Sequence, residues 1–378
     1  MDLDGKRVLI TGANGFIGRR LAERLAREEN ALVRGLVRRL ETRVASGPTT
    51  SISLRQDSAT LDQRSSPADV APFESVIGDV TDADAVRRSV AGCAAVIHCA
   101  AMQGGGGTLA DFRRVNVEGT LNLLRAARAA KVQRFIHIST INVHGFPPPR
   151  DANADSPLSF HGDFYSVSKA EGERAAWQFA HESGQLPALT VVRPACTYGP
   201  RSEAWTMQPL RRVRRGTPVL IGKGEGICNA VYIDNLIDLI VLALKDNAAA
   251  GQSFIGAEGR GVTWREFYGA YARMLETPSL NSLPRILALA AATVFEAQAR
   301  FTRTPPRLSR ASVEFYSHRV VYDMTKAHKL LGYAPRVSFE EGMRRTKEWL
   351  DEMGHLRTIL NGEAHRQINE TSSDRSHK

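Results

Sequence analysis

The chain has 378 residues, 43% hydrophobic and 24% charged, with a formal net charge of +10. Such a length and balance fit a soluble globular protein with one large and one smaller domain. They exclude a membrane span: the longest apolar run, Ile286 to Phe295, is too short to cross a bilayer and ends at Glu296.

The excess positive charge points to an anionic ligand, a nucleic acid or an acidic surface. Its densest cluster is Arg211-Arg212-Val213-Arg214-Arg215. No motif that reads RNA or DNA accompanies it and aromatic residues are sparse, so it reads as a solvated helix face and no nucleic-acid partner is expected. Cys93, Cys99, Cys196 and Cys228 match no zinc or disulfide spacing. Reduced cysteines and no metal site are expected.

Residues 6 to 11 (K-R-V-L-I-T) are an apolar, β-rich run. A strand that begins so early leaves no room for a signal peptide, and a cytoplasmic location is expected. Gly12-Ala13-Asn14-Gly15-Phe16-Ile17-Gly18 follows, then an amphipathic helix to about Glu29. In this strand–turn–helix setting the first glycines of G-x-x-G-x-x-G let the backbone approach a pyrophosphate. The last lets helix and strand pack closely, and the helix N-terminus faces the anion. Dinucleotide binding is the expectation.

The second strand, Leu32 to Val37, ends where NAD sites keep an acidic residue for the ribose 2′-hydroxyl. Here that place holds Val37, followed by Arg38 and Arg39. A guanidinium binds a 2′-phosphate and a carboxylate repels it, so NADP is favoured over NAD. The plainer alternative is that both arginines are simply solvated.

Residues 41–73, rich in Ser, Thr, Pro and Asp, read as a long mobile insertion. A short strand leads into Gly78-Asp79-Val80, where a carboxylate can accept from an adenine amine. A helix over Ala83 to Val90 precedes a buried strand from Ala94 to Cys99. Ala100 and Ala101 follow, small enough for the backbone to lie against a cofactor. Gln103 and Gly104 to Gly107 form a flexible lip to a substrate pocket. After a helix over Asn116 to Ala130, the strand Arg134 to Ser139 delivers S-T-I-N-V-H-G at its carboxyl end, where open parallel sheets place ligands. Thr140, chosen over Ser139, offers a hydroxyl to a substrate carbonyl.

The stretch F-H-G-D-F-Y-S-V-S-K-A-E-G-E-R, Phe160 to Arg174, sets Tyr165 and Lys169 one helical turn apart on one face. A phenol titrates near about pH 10. A cation fixed beside it favours the phenolate, so Lys169 is expected to lower the pKa of Tyr165 and fit it for proton exchange with a ketone or alcohol. By itself Y-x-x-x-K also describes many solvated helix faces. A sixth strand ends at Val191-Val192-Arg193-Pro194, and the turn Cys196 to Pro200 follows. Val231 to Leu236 reads as a strand entering a helix. Further helices are expected over Trp264 to Leu275, Arg285 to Arg300 and Phe339 to Met353, with a disordered tail after about Arg357.

Taken in order, T-G-A-N-G-F-I-G, G-D-V, V-I-H-C-A-A, N-V-E-G-T, S-T-I-N-V-H-G, Y-S-V-S-K, V-V-R-P, Y-G-P and V-Y-I-D-N resemble the extended short-chain dehydrogenase/reductases, the NAD-dependent epimerase/dehydratase family, from Lys6 to about Leu350. The resemblance implies Thr140, Tyr165 and Lys169 as the catalytic set. It implies Gly12, Gly15 and Gly18 as the phosphate loop, Asp79 as the adenine contact and Ala100 as backbone lining. Asn14, Phe16, Ile17, Arg38, Arg39, Val80, Ala101, Asn116, Arg193 and Pro194 complete the expected cofactor contacts, with Tyr165 and Lys169. Dehydratases of the family carry an Asp-Glu pair after the catalytic Thr; Ile141 and Asn142 stand there, which argues against dehydration. Cys228 replaces an Arg that grips diphosphates in sugar-nucleotide enzymes, and His144 replaces the Tyr of V-Y-G. V-Y-I-D-N and the segment Pro305 to Glu341 look most like the 3β-hydroxysteroid dehydrogenase-like branch.

The expected fold is α/β, a doubly wound, mainly parallel Rossmann sheet with a smaller C-terminal substrate-binding region. The dinucleotide domain spans 1–194, rejoined by 228–258; the substrate region spans 195–227 and 259–355, and 356–378 is a disordered tail. The expected activity is hydride transfer between NADP(H) and a ketone or secondary alcohol of a lipid- or steroid-like small molecule. The alternatives are a sugar-nucleotide epimerase or reductase and a non-catalytic NADP-binding protein. A homodimer is left open.

Overall fold

A computed structural model describes residues 1–39, 73–104, 106–182, 184, 187–277, 279–302, 306 and 308–361. Apart from Phe73, the expected insertion at 41–73 lies outside the described residues, as does the chain beyond 361.

Seven strands build one parallel sheet: β1 (Arg7–Thr11), β2 (Leu32–Val37), β3 (Glu74–Ile77), β4 (Ala95–His98), β5 (Arg134–Ile138), β6 (Ala188–Pro194) and, much later in the chain, Ser253–Gly256. Their order is Ser253–Gly256, β6, β5, β4, β1, β2, β3. The sheet therefore reverses direction between β1 and β4, which pair in register from Val8–Ala95 to Thr11–His98. Carboxyl ends on either side of such a reversal form the crevice where open α/β sheets take ligands. The α-helices of this half are α1 (Phe16–Glu28), α2 (Ala83–Val90), the short α3 (Leu109–Arg113), α4 (Gly119–Ala129) and α5 (Phe164–Glu182).

Alternation along the strands splits the core into two layers. Val8 and Ile10 of β1 share one cluster with Leu21 and Leu25 of α1. Leu9, between them, faces the other cluster, with Val86 of α2, Leu123 of α4 and Ala176 of α5. Central strands buried on both faces read as continuous apolar runs, as V-L-I and A-V-I-H do here.

After β6 come β7 (Cys196–Tyr198), α6 (Gln208–Arg214), β8 (Leu220–Ile221), β9 (Ile227–Cys228), β10 (Ala230–Tyr232) and α7 (Ile233–Lys245), leading to the edge strand β11 (Ser253–Gly256). The remainder is β12 (Val262–Thr263), α8 (Trp264–Met274), β13 (Ser282–Leu283), α9 (Arg285–Thr302), α10 (Arg310–Ser317), α11 (Thr325–Leu331), α12 (Phe339–Glu352) and α13 (His355–Asn361). The small strands pair as β7–β10, β9–β12 and β8–β13. Helix α13 corrects the expectation of a tail without structure from 356: Leu356 is buried in the main core, and the ring of His355 lies 5.1 Å from that of Trp349.

Helix α5 approaches the chain just before α4 unusually closely. Residues Arg114–Glu118 form a π-turn there, and a Cβ at Gly172 would lie 2.3 Å from the Asn116 carbonyl oxygen. Two backbones in contact cannot both yield to a methyl group. Gly172→Ala should therefore cost about 1–3 kcal/mol, read as a lower urea midpoint with an unchanged slope. A neutral or stabilising result would show that α5 can shift freely there.

Candidate active site

The glycine turn is built by backbone proximity. Gly12 adopts φ +68°, and a Cβ there would sit 3.0 Å from the Ala100 nitrogen; one at Gly18 would sit 2.3 Å from the Gly12 carbonyl oxygen. Helix α1 has no side-chain cap at Gly15 and no acidic residue in its first turn. Its leading N–H groups, at Phe16, Ile17 and Gly18, have no partner inside the helix. With the helix dipole behind them they suit the diphosphate of a dinucleotide, so the residues present fit such a cofactor.

The surrounding cofactor candidates converge on the same edge. Asn14 donates from Nδ2 to the Arg39 carbonyl at 3.1 Å, tying the turn to the end of β2, where Arg38 and Arg39 are exposed. Asp79 accepts from Thr81 N and Oγ1 through one carboxylate oxygen, at 2.9 and 2.8 Å, and Val80 beside it is buried. The Ala100 N–H donates to Thr11 Oγ1 at 3.1 Å; Ala101 follows, partly exposed. Asn116 accepts from Met102 N at 2.8 Å and donates from Nδ2 to Met102 O and Ser168 Oγ, locking the segment after β4 onto α5. Pro194 is buried at the end of β6.

Thr140 leaves β5 in an extended conformation and caps the 3₁₀ turn Ile141–His144, its Oγ1 accepting from Asn142 N at 3.3 Å. Burial pushes Tyr165 up to about 12; the Thr140 hydroxyl acts the other way and lowers it, and the nearby Asp163 charge raises it further. Lys169 donates from Nζ to the Ile138 carbonyl at 2.7 Å and is wholly enclosed; burial brings its ammonium down to about 8, although Glu173 pulls the other way. The expected lowering of the phenol by Lys169 is not seen: the ammonium is turned to the Ile138 carbonyl, and burial raises Tyr165.

Arg193 also departs from expectation. Its Nε donates to Glu173 at 3.1 and 3.2 Å, its Nη2 to the same carboxylate, and its Nη1 to the Ala154 carbonyl at 2.6 Å, with His144 Nε2 at 3.3 Å. The guanidinium is buried and held by Glu173, Ala154 and His144, so its side chain is committed to this ion pair. The Nδ1 of His144 faces the Pro157 carbonyl at 3.1 Å, which fixes it as the donor and Nε2 as the acceptor from Arg193. Burial and the Arg193 charge bring His144 down to about 4, keeping it neutral.

Glu173, to which the sequence alone assigns no role, accepts from Ser139 Oγ at 2.7 Å as well as from Arg193. The signal was available: Glu173 is one helical turn beyond Lys169, on the face that Lys169 buries. Burial raises its carboxyl, but Arg193 and Ser139 together hold it below the ordinary carboxylate range.

Comparison with known proteins matches residues 8–255 to the NAD dependent epimerase/dehydratase family. The chain is 28% identical over 358 residues to a 2-alkyl-3-oxoalkanoate reductase of Stenotrophomonas maltophilia, covering 90% of this chain and 98% of the relative. It is 28% identical over 369 residues to 3beta-hydroxysteroid-dehydrogenase/decarboxylase isoform 2 of Arabidopsis thaliana, covering 92% of this chain but 62% of that longer protein. It is also 28% identical over 285 residues to a UDP-glucose 4-epimerase of Vibrio cholerae, covering 72% and 77% respectively.

The buried ion pair makes its own prediction. Glu173→Gln leaves Arg193 charged and enclosed, and should cost about 3–5 kcal/mol of stability at neutral pH. A carboxyl held low in the folded state contributes stability that is lost as the pH falls through its folded-state value. Urea titrations of both proteins should therefore converge in acid; a gap that stays constant with pH would assign the loss to packing alone.

Proposed function

The chain belongs to the NAD dependent epimerase/dehydratase family and is an enzyme of the dehydrogenase, reductase and epimerase kind; on that premise we propose that it reduces a ketone on a lipid- or steroid-like molecule to a secondary alcohol with NADPH. The observation that carries this reading is the convergence at the carboxyl end of β5 of Thr140, whose hydroxyl acts on the Tyr165 phenol, and of α5, which carries Tyr165 with Lys169 one turn along. The cofactor, when bound, supplies the hydride. Tyr165 supplies the proton: a phenol raised to about 12 is protonated at neutral pH, ready to donate to a ketone oxygen. Thr140 orients that oxygen beside the phenol, and Lys169 holds the nicotinamide ribose and supports the phenol as its proton leaves. Alignment of ketone and cofactor supplies much of the remaining rate.

In this reading the turn from Gly12 to Gly18, with Asn14, Gly15, Phe16 and Ile17, holds the diphosphate. Asp79 and Val80 take the adenine, Arg38 and Arg39 the 2′-phosphate, and Ala100, Ala101, Asn116 and Pro194 line the remaining path. The dinucleotide part is 1–194 with 228–258; the substrate part is 195–227 with 259–355. The lipid-like substrate class is supported by the reductase and hydroxysteroid dehydrogenase relatives. It is supported too by an aromatic group close behind the catalytic turn: the Phe146 ring meets Phe315 edge-on at 4.8 Å and stacks on His318 at 5.9 Å. The epimerase relative supports a second reading, in which the cofactor is reduced and reoxidised in place.

Stoichiometry separates the two. With a panel of ketones, sterols and sugar nucleotides, NADPH should be consumed one for one with alcohol formed, and Tyr165→Phe should lower turnover about 10²–10⁴-fold with cofactor binding nearly intact. Interconversion of sugar nucleotides without added cofactor would decide for the epimerase, and normal turnover in the Phe variant would remove Tyr165 from the mechanism.

Cofactor choice rests on the end of β2, where no carboxylate stands at Val37. A charge-assisted contact to a 2′-phosphate contributes roughly 1.5–3 kcal/mol, or about 10- to 150-fold in affinity. Arg38→Ala should weaken NADPH by that factor and leave NADH little changed, read by fluorescence titration of wild type, Arg38→Ala and the Arg38/Arg39 double variant. Equal affinity of the wild type for both cofactors would overturn the assignment.

A further inference from the structure

Helix α9 turns its large apolar side chains outward. Ile286, Leu287, Val294 and Phe301 are 82%, 57%, 66% and 90% exposed, and they account for four of the ten exposed large apolar side chains among the described residues. Ile286, Ala290, Val294, Ala297 and Phe301 form one helical stripe, at i, i+4, i+8, i+11 and i+15, with Leu287 along its edge. The opposite face rests on a small cluster: Ala288 and Ala292 meet Val313 of α10, with Leu283 of β13 and Ile221 of β8 beside them. The helix is thus held in place by Ala288, Ala292 and Leu289, while four of its large side chains face solvent.

No acid stands on the outward stripe. The one acid of the helix, Glu296, is half-buried and accepts from Arg310 N and Nε at 2.8 and 2.9 Å. The neighbouring positive charge comes from α6. Its end joins the approach to α9 through Asn281 Nδ2, which donates to the Gly216 carbonyl at 2.6 Å. Arg212 is exposed and reaches Tyr316 Oη of α10 at 3.4 Å; Arg215 is exposed with no carboxylate partner among the described residues. Among the described residues no helix is long and apolar enough to cross a membrane.

We propose that α9 lies in the interface of an anionic membrane, its stripe of Ile286, Leu287, Val294 and Phe301 entering the acyl boundary while Arg212 and Arg215 meet the headgroups. An exposed apolar helix face free of acids, with arginines beside it, is the arrangement that binds a bilayer surface without spanning it. A second copy of the chain fits less well, because it would bring the same α6 arginines toward their own kind. Helix α10, on which α9 rests, carries Phe315 of the aromatic group behind the catalytic turn, so docking would bring that end of the substrate region to the lipid. The docking itself does not depend on the chemistry proposed above.

The full chain should co-sediment with vesicles of phosphatidylethanolamine and phosphatidylglycerol in equal parts, and much less with phosphatidylcholine alone. Ile286→Ser with Phe301→Ser should weaken partitioning by about tenfold or more, since each removes a large apolar side chain from the acyl boundary. Arg212→Gln with Arg215→Gln should weaken it roughly fivefold per charge, on the anionic vesicles only. The control Leu330→Ser, an exposed apolar residue on α11, should change nothing. Wild-type protein left in the supernatant, or equal sedimentation of wild type and the α9 variant, would overturn the proposal. So would a wild-type dimer that the α9 variant turns into monomer, because the stripe would then be an interface between copies. The assay reads binding without turnover, so its outcome and that of the reductase test are independent.

Discussion

The contact on which the site depends is the buried ion pair between Glu173 of α5 and Arg193 of β6. One carboxylate joins four pieces of chain: the helix carrying Tyr165 and Lys169, the strand end carrying Ser139 and Thr140, β6, and through Arg193 the loop at Ala154 and the ring of His144. Two charges removed from water are tolerated only when their remaining hydrogen-bonding capacity is met. Here it is met on both sides, by a serine hydroxyl on the acid and by a carbonyl and a neutral imidazole on the base. The result is that α5, which carries Tyr165, is tied to the carboxyl ends of β5 and β6, where Thr140 stands.

His144 makes sense in that setting. Its Nδ1 proton is directed to the Pro157 carbonyl, so the other ring nitrogen must be an acceptor, and Arg193 is the donor that reaches it. A protonated imidazole there would face the guanidinium, which is why burial and charge both keep the ring neutral. The ring also packs 5.9 Å from Tyr322, whose hydroxyl donates to the Ile141 carbonyl. The C-terminal part of the chain thereby supports the catalytic turn from behind.

Much of this was legible in the sequence, and the reasons are local. The strand Leu32 to Val37, the helix Ala83 to Val90 and the glycine turn stand where apolar periodicity and turn chemistry place them. Tyr165 and Lys169 share a helix face because spacing alone requires it. What was not legible is what depends on distant partners. Spacing says that Lys169 can face Tyr165; it does not say that the Ile138 carbonyl, thirty-one residues earlier in sequence, takes the ammonium first. The pattern V-V-R-P places Arg193 at a strand end near a cofactor, but only the fold reveals a buried carboxylate waiting there. The helix His355–Asn361 does carry a trace, Leu356 and Ile359 at i and i+3, both packed on the main core, but it is two turns long and runs into a polar tail whose composition dominates the reading.

The main core also carries a kinetic consequence. Leu3 and Val8 lie in the same cluster as Leu350 and Leu356, and the edge strand β11 reaches its partner β6 only after more than fifty intervening residues. A parallel sheet closed by such remote segments has few contacts that form early, so loop-closure entropy must be overcome before burial rewards it. During synthesis the first half of the chain can build the layer that holds Leu9, Val86, Leu123 and Ala176, while the layer that holds Val8 and Ile10 waits for Leu350 and Leu356. One face of the sheet can thus be covered long before the other, and the uncovered face is the apolar surface that the growing chain exposes.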